Sequence, residues 1–286
     1  MIPHNRPTYD EAEERAVAVT IKAMANGKVG NIVETFEWRL ADYFRTERAV
    51  CVASGLGALR LASIVFLDYV VQVPAYSCVA LPNAVLAKEG FPVPKDEGPY
   101  DISVNTFGVP GEGIVQDITH GGPLWGVGVM SFGPTKLLAA GGGGVILCGK
   151  NDAEELIDLR DYADKARSGD RLNNTMSVLH ASVGLVQLGK LPEMLSRRLA
   201  IGLLYNDILH EKVEGSFYRY VIQVENPETF IQAMAQQGVE VKRPLELWND
   251  CPGAVEQYAH NVSLPCYPTL SEEDQDYVIE AVQECR

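Results

Sequence analysis

Three places in the sequence carry groups that could do chemistry, and each adjoins a short apolar run. Residues 54–58 form a turn of serine, glycine, leucine and alanine that opens an apolar helical stretch. Asp117 follows the run 113–116, and Lys136 comes shortly after the run 126–132. If these runs are strands of one open α/β sheet, all three places lie at the carboxyl ends of strands, where such sheets bind ligands.

The turn at 54–58 has the chemistry of an anion site. Backbone N–H groups of Ser54, Gly55 and Leu56 would stand at the positive end of the following helix, where they can bind a phosphate. A turn of this kind is more often a plain connection between a strand and a helix. The segment alone therefore leaves both interpretations open.

Asp117 would place a carboxylate at the sheet edge, near His120 in the sequence. A buried carboxylate needs a cationic or hydrogen-bonding partner. A protonated pyridine nitrogen is such a partner, and its proton makes a cofactor ring an electron sink. An aspartate that caps a helix or a turn explains the residue equally well in isolation.

Lys136 is followed by small residues up to Gly144, which would let a bulky cofactor approach the backbone. A lysine in a dry pocket holds its proton less tightly and becomes nucleophilic enough to form an imine. The ordinary alternative is a surface lysine with its ammonium group in water.

The elements that must position these groups alternate between strand and helix, which predicts an α/β fold with a mostly parallel sheet of about seven strands. Helical spacing of apolar residues predicts helices over residues 11–25, 34–44, 56–66 and 78–88. Short apolar runs between turn residues predict strands over residues 49–53, 69–73, 91–93, 102–106, 113–116, 126–132 and 144–148.

The rest of the sequence, after residue 148, predicts a long helical stretch and a small α+β unit. Helices are expected over residues 153–165, 177–210, 227–237 and 271–284, with Pro192 as a point of potential interruption. Strands are expected over residues 216–224 and 239–242. We therefore expect a large domain over residues 1–190 and a small C-terminal domain over residues 191–286. Lys242 and Arg243 in the small domain are interpreted as a solvated basic patch rather than an anion site.

Composition limits the classes of partner. The chain of 286 residues is 47% hydrophobic and 22% charged, as in folded water-soluble proteins. Its formal net charge of −14 would repel nucleic acid and anionic membrane surfaces. An anionic substrate must therefore meet a local basic pocket. We expect no nucleic-acid partner and no membrane association.

Localisation and metal binding are judged from the cysteines and the apolar runs. The N-terminus has no apolar signal segment, and the most apolar window, residues 61–67, is far shorter than the roughly 20 residues that a membrane helix needs. Six cysteines without a CxxC pair argue against a zinc site and against a disulfide framework. We expect a cytoplasmic protein without a metal site.

Six segments, taken in order, match the motifs of one known family. Residues 54–59 read SGLGAL, 73–77 VPAYS, 115–120 VQDITH and 131–136 SFGPTK, the last followed by Gly143 and Gly144. They resemble the SGTAAL, VPAYT, EDAAH and FSFxxxKxxxxGEGG motifs of the DegT/DnrJ/EryC1/StrS family of PLP-dependent sugar aminotransferases. Residues 172–177 and 263–268 resemble its YNYRMS and SLPLYP segments, so the resemblance covers nearly the whole chain.

The resemblance implies the fold of type I PLP-dependent transferases, with a three-layer α/β/α large domain and a small C-terminal α+β domain. It also implies that Lys136 carries pyridoxal 5′-phosphate (PLP) as a Schiff base and that Asp117 keeps the pyridine nitrogen protonated. Ser131, with the N–H groups of Gly55 and Leu56 beside Ser54, would hold the phosphate. His120 would pack near the ring edge.

The family further implies a homodimer with shared active sites, because Asn173 would reach the cofactor phosphate of the neighbouring subunit. The reaction implied is transfer of an amino group from an amino acid such as glutamate to a keto group of a nucleotide-linked sugar. Related sugar dehydratases have histidine in place of the lysine, so Lys136 argues against that reaction.

The sequence also departs from the family pattern. Leu56 replaces a threonine of the phosphate turn, Cys78 stands where an aromatic residue stacks on the pyridine ring, and Thr175 replaces arginine or lysine. The stretches between Asp117 and Lys136 and over residues 93–109 are shortened. Two alternatives therefore stay open: an aminotransferase for a cyclitol or another small ketone, and a catalytically degenerate homologue that serves as a scaffold or sensor.

Overall fold

The computed structural model describes residues 1–161 and 171–286 and has an α/β fold. The helices of its first half are α1 (Glu11–Ala25), α2 (Ile32–Phe44), α3 (Gly55–Phe66), α4 (Ala80–Leu86) and α5 (Lys150–Arg160). The strands of this half are β1 (Arg48–Val52), β2 (Val70–Pro74), β3 (Phe91–Lys95), β4 (Tyr100–Val104), β5 (Gly113–Asp117), β6 (Val127–Ser131) and β7 (Gly144–Cys148). The seven strands and the first four helices confirm the prediction, with small shifts at their ends. The predicted helix 153–165 begins earlier, as α5, and its residues 162–165 lie outside the described part.

The seven strands divide into a five-stranded sheet and a two-stranded pair. The order in the large sheet is β1-β7-β6-β5-β4, and β2 pairs in parallel with β3. The pair adjoins the sheet at β4, where the N–H of Gln72 donates to the carboxylate of Asp101 (2.7 Å). Strands β4, β5 and β6 are parallel, whereas β7 is antiparallel to both of its neighbours. The sheet is therefore mixed, because the loop between β6 and β7 returns at the same edge instead of crossing over through a helix.

Both faces of the sheet are covered by helices. Side chains of a strand alternate between faces, and on β7 Ile146 and Cys148 join a core with α3, α4 and α5, while Val145 and Leu147 join a core with α2 and α6. The expected three-layer α/β/α arrangement is confirmed.

The second half contains α6 (Val178–Leu209), β8 (Tyr220–Gln223), α7 (Pro227–Gln236), α8 (Pro252–His260), β9 (Asn261–Leu264) and α9 (Glu272–Cys285). Strand β8 is shorter than the predicted strand 216–224, and α8 and β9 were not predicted. The prediction of a strand over residues 239–242 is wrong. Val239 bridges to Ile2 and Lys242 bridges to Ser263, so the segment changes partners before a strand can form.

Helix α6 continues through Pro192 without the potential interruption. A proline inside a helix costs about 3 kcal/mol, but α6 buries Leu188 and Leu191 in the core under the sheet and Ile201 in the C-terminal core. Burial of each such side chain contributes about 1.5–3 kcal/mol. Because α6 crosses the proposed boundary, the division into residues 1–190 and 191–286 stays a prediction. In the part of the chain that the structure describes, no helix is long and apolar enough to cross a bilayer.

Candidate active site

One edge of the sheet brings the predicted groups together. In the register of the strands, Val52 lies opposite Gly144, which lies opposite Ser131 on its other side. Strand β5 runs parallel to β6 and ends at Asp117 on the same edge. The turn at Ser54, the carboxylate and the β6–β7 loop with the lysine therefore meet because β7 reverses the chain direction between β6 and β1.

The first turn of α3 is built around glycine and serine. The Ser54 hydroxyl accepts a hydrogen bond from the N–H of Gly57 (3.0 Å) and caps the helix. A Cβ atom on Gly55 would lie 2.4 Å from Cβ of Ser131, so only glycine allows this approach. The N–H groups of Gly55 and Leu56 precede the first intrahelical bond, which Ala58 makes. This end of α3, with the Ser131 hydroxyl against it, has the donors and dipole that bind an anion.

The segment after residue 170 packs on this turn through Asn174, whereas Asn173 was predicted to act in the neighbouring subunit. A Cβ atom on Gly57 would lie 2.6 Å from Nδ2 of Asn174, and the carbonyl of Asn174 accepts from the N–H of Ala53 (3.0 Å). Asn173 is exposed in the single chain. Its predicted role toward a neighbouring subunit is neither supported nor contradicted by one chain and stays a proposal.

Asp117 is a half-buried acid at the end of β5. Its Oδ1 accepts a hydrogen bond from the N–H of Thr119 (2.9 Å), and no ion pair to it forms among the described residues. Burial raises the pKa of the Asp117 carboxyl, while the bond from Thr119 and the positive charge of Lys136 lower it. The Thr119 hydroxyl also accepts from the N–H of Ser131 (2.9 Å), which ties the end of β5 to the end of β6.

His120 lies between two aromatic rings. Its ring stacks on Tyr218 (centroids 4.2 Å apart, planes at 17°) and is parallel to Phe107 (6.0 Å, 2°). Nδ1 accepts from the backbone N–H of Phe107 (3.2 Å), so Nε2 carries the proton of the neutral ring. Burial, together with the charges of Lys136 and Arg219, holds the pKa of His120 well below its usual value. His120 is therefore a neutral hydrogen-bond donor.

Lys136 lies in the loop between β6 and β7, where its N–H bonds to the carbonyl of Gly133 (3.0 Å). Its Nζ lies 5.6 Å from the centre of the Tyr218 ring. Among the described residues, no carboxylate or carbonyl is within hydrogen-bonding distance of this ammonium group. A cation held near an aromatic face, without a carboxylate to neutralise it, remains available for reaction with an electrophile.

The remaining predicted residues have side chains that are exposed or paired with an acid. Cys78 follows β2 and is exposed, and the side chain of Leu56 is also exposed, which leaves its backbone N–H as the relevant group. Lys242 is exposed and pairs with Glu240, which agrees with a solvated surface residue, whereas Arg243 is half-buried, pairs with Glu228 and lies over the ring of Tyr258. In the described part of the chain, no group of three His, Cys, Asp or Glu side chains could hold a metal ion.

Sequence reasoning missed several residues of the site: Phe107, Thr119, Asn174, Tyr218 and Arg219. Tyr218 is buried, and its hydroxyl has no hydrogen-bond partner among the described residues. It comes from the segment before β8, far from Lys136 along the chain, and no local pattern marks it. Thr119 lies within the 115–120 segment, so its hydroxyl could have been suspected from its place between Asp117 and His120.

The arrangement offers complementary positions to one bound molecule. The N-terminus of α3 fits an anionic group, the Asp117 carboxylate fits a proton-bearing or cationic atom, and Lys136 fits an electrophilic carbon. Neutral His120, stacked on the Tyr218 ring beside Lys136, offers a hydrogen-bond donor. A planar molecule that carries all three features would satisfy these groups at once.

Comparison with known proteins places the chain among aminotransferases. The sequence model of the DegT/DnrJ/EryC1/StrS aminotransferase family matches residues 115–283. The chain is also similar to the spore coat polysaccharide biosynthesis protein SpsC of Bacillus subtilis (strain 168), with 28% identity over 207 residues that cover 54% of this chain and 52% of SpsC. The match thus spans about half the length of that curated relative.

Solved structures share the fold over the full length. Sugar aminotransferase CalS13 from Micromonospora echinospora superposes with a TM-score of 0.86 at 18% identity, over 99% of this chain and 100% of CalS13. Spr1654 from Streptococcus pneumoniae in its PLP-form gives a TM-score of 0.86 at 21% identity, over 100% and 99% of the two chains. Spr1654 was also solved in a PMP-form. At these identities the likeness establishes the fold.

Proposed function

Since this chain belongs to the DegT/DnrJ/EryC1/StrS aminotransferase family, we propose that it is a PLP-dependent aminotransferase. It takes an amino group from an amino acid, glutamate in the first place, and transfers it to a keto group of a nucleotide-linked sugar. The naming of CalS13 as a sugar aminotransferase and of SpsC as a polysaccharide biosynthesis protein supports a sugar acceptor. The PLP-form of Spr1654 supports the cofactor.

The observation that carries the proposal is the pair formed by Asp117 and Lys136. Among the described residues, the half-buried carboxylate of Asp117 forms no ion pair and the ammonium group of Lys136 has no hydrogen-bond acceptor, and the two charges interact electrostatically. The residues fit PLP, whose phosphate suits the α3 terminus and whose pyridine nitrogen suits Asp117. When bound, PLP supplies an electrophilic carbon for an amine and a ring that withdraws electrons from the carbon bonded to that amine.

Lys136 has two tasks in this proposal. Its Nζ would be the atom of covalent attachment. Once displaced by the donor's amine, the same nitrogen would act as the base that moves a proton from the donor's α-carbon to carbon C4′ of the cofactor. The face of Tyr218 keeps this nitrogen in place without neutralising it. A carboxylate at that position would hold the ammonium proton more tightly and would weaken Lys136 as a base.

The other residues orient the cofactor and hold it in the site. Asp117 keeps a proton on the pyridine nitrogen, and Thr119 fixes that carboxylate through the bond to Oδ1. His120 donates from Nε2 near the ring edge, because its Nδ1 is occupied by Phe107. Ser131 and the N–H groups of Gly55 and Leu56 hold the phosphate.

We further propose that the active protein is a cytoplasmic homodimer in which Asn173 reaches the phosphate held by the other subunit. Exposure of Asn173 in the single chain is consistent with such a contact. All six cysteines are free thiols, as expected in a reducing compartment. Leu56, Cys78 and Thr175 remove a hydroxyl, an aromatic ring and a positive charge from the family pattern, so we expect weak cofactor binding.

The proposal is tested by separating the two halves of the reaction. Protein loaded with PLP is mixed with L-glutamate, and 2-oxoglutarate is measured against the amount of protein. Nucleotide-linked keto sugars and ketones of cyclitols are then offered as acceptors. We expect stoichiometric 2-oxoglutarate and an aminated nucleotide sugar. Amination of the cyclitol alone would contradict the sugar acceptor. If neither glutamate nor any other amino acid yields its 2-oxo acid, the scaffold alternative is favoured.

A further inference from the structure

A group of positive charges surrounds the ring of Tyr218. Lys136 Nζ, Arg198 Cζ and Arg219 Cζ lie 5.6, 5.9 and 5.3 Å from the ring centre. The whole chain has a formal net charge of −14, so this concentration of cations is local. Such a group attracts anions to the site and repels other cations.

Arg219 differs from Arg198 in that, among the described residues, its side chain donates to no backbone carbonyl and pairs with no carboxylate. It is half-buried, and its polar side-chain contact among the described residues is the ring of His4, with Nη1 3.4 Å from Nδ1 and 3.3 Å from Nε2. Burial, with the charges of Arg219 and Lys242, lowers the pKa of His4 to about 3 despite the opposing charge of Glu240. His4 is therefore neutral and leaves the charge of Arg219 uncompensated.

The neighbouring cations are already engaged. Arg198 donates to the carbonyls of Phe217, Tyr218 and Cys266, and Lys242 pairs with Glu240 (2.9 Å). Within the described part of the chain, neither Arg219 nor Lys136 pairs with a carboxylate, although both lie beside one ring. A half-buried guanidinium without a carboxylate is a site for an anion that the protein does not itself contain.

We propose that Arg219 binds the α-carboxylate of the amino-acid donor beside Lys136, an inference that rests on the proposed function. An α-amino acid carries its amine and its carboxylate on one carbon. The amine would take the place of the Lys136 nitrogen, and Arg219, which lies over the same ring as Lys136, would bind the carboxylate. The planar guanidinium binds a carboxylate through two parallel hydrogen bonds, which would fix the α-carbon relative to Lys136.

A nucleotide-linked sugar offers a second anion, its diphosphate, but the geometry favours the carboxylate. The carboxylate is one bond from the reacting carbon, whereas a diphosphate is separated from the reacting keto carbon by the sugar ring. Arg219 and Lys136 both lie over the ring of Tyr218, so Arg219 is placed to bind the carboxylate rather than the diphosphate. The half-reaction with the donor alone separates the two anions.

The test uses Arg219→Gln and Arg219→Lys, with Arg243→Gln as the matched control, because Arg243 is paired with Glu228 and lies over Tyr258 (4.2 Å). The dissociation constant of L-glutamate is measured from the spectral change of PLP-loaded protein, and that of L-isoglutamine, whose α-carboxylate is an amide, in the same way. We expect R219Q to raise the dissociation constant of glutamate by about 10- to 100-fold and to change that of isoglutamine little. R219K should lie in between, and R243Q should match the parent protein.

A binding measurement independent of turnover completes the test. Glutarate is titrated calorimetrically into the full-length protein without cofactor, and we expect R219Q to bind it at least about tenfold more weakly than R243Q does. Equal changes for glutamate and isoglutamine, or a defect of R219Q that is confined to the nucleotide sugar, would overturn the inference. If the parent protein does not take up PLP at all, the proposed function fails, and the glutarate titration still decides the role of Arg219.

Discussion

The imidazole ring of His120 stacks on the phenol ring of Tyr218, with centroids 4.2 Å apart and planes at 17°. His120 follows β5 at the edge of the sheet, whereas Tyr218 precedes β8 in the C-terminal half. The contact joins the two halves of the chain at the position where Lys136 projects. It also brings Arg219, the neighbour of Tyr218, to the site.

The first prediction concerns the hydroxyl of Tyr218 and its effect on the free energy of unfolding. It is buried and has no partner among the described residues, and an unsatisfied buried polar group costs about 1–3 kcal/mol. Tyr218→Phe keeps the ring and should leave the free energy of unfolding unchanged or raise it by up to about 1–3 kcal/mol. Tyr218→Ala should lower it by about 3–5 kcal/mol. Urea denaturation of the cofactor-free variants checks both, and a clear loss in the phenylalanine variant would show that the hydroxyl has a partner.

The close approach at Gly55 predicts that alanine damages the anion site. A Cβ atom there would lie 2.4 Å from Cβ of Ser131, so the turn and the end of β6 must separate. We expect Gly55→Ala to weaken PLP binding by at least about tenfold, as loss of one or two charge-assisted hydrogen bonds would. Gly189→Ala is the control, because α6 has open space at Gly189 and alanine should there stabilise the helix by about 0.5–1 kcal/mol. Equal PLP affinity in both variants would contradict the role of Gly55.

The Asp117→Asn substitution should favour the folded state of the cofactor-free protein and harm the reaction of the PLP-loaded protein. Burial raises the pKa of Asp117 in the folded cofactor-free chain. A carboxyl with a raised folded pKa favours folding at low pH, and this contribution is lost as the pH rises through that pKa. Asp117→Asn should therefore raise the melting temperature of the cofactor-free protein at pH 7, and the difference should vanish below about pH 3.9. In the PLP-loaded protein the same substitution should abolish amino transfer.

The matched control for this prediction is Asp250→Asn, since Asp250 is exposed. A surface substitution of this kind changes stability by no more than about 0.5 kcal/mol. If D117N and D250N have the same melting temperature at pH 7, Asp117 is hydrated or paired in the folded protein.

Two of the five histidines should not titrate near neutral pH. The pKa of His120 lies well below its usual value because of burial and the charges of Lys136 and Arg219, and the pKa of His4 is lowered to about 3, chiefly by burial. We expect their ring nitrogens to keep neutral chemical shifts from pH 5 to pH 8 in NMR spectra of histidine-labelled protein. His120→Gln and His4→Gln assign the signals. Protonation of His120 above pH 6 would contradict its assignment as a neutral donor.

The sequence was sufficient to predict the elements that local patterns determine. Helix α1 has its predicted bounds because Asp10 and Glu13 form a capping box, and the strands of the large sheet are fully or partly apolar runs between turns. The sequence also predicted that three groups cluster: the 54–58 turn, Asp117 and the Lys136 loop. This clustering requires only that three strands end at one edge of the sheet. The reversal at β7, which completes that edge, does not follow from strand patterns alone.

Contacts between distant segments were the part that could not be predicted. Tyr218 and Arg219 carry no motif, and their importance arises only because α6 runs unbroken from one core to the other and returns the chain toward His120. The choice between Asn173 and Asn174 depends on the pairing of Val52 with Thr175, which sequence spacing does not fix. The strand expected over residues 239–242 failed for the same reason, since its partners, Ile2 and Ser263, come from opposite ends of the chain.

The most direct test of the central claim is the position of the cofactor's covalent bond. Protein incubated with PLP is reduced with borohydride, digested and mapped by mass spectrometry, with Lys136→Ala and Lys242→Ala treated in parallel. We expect a visible absorption band that reduction removes and one phosphopyridoxyl group on Lys136, lost in K136A and kept in K242A. A label on another lysine, or an undiminished band in K136A, would contradict this claim.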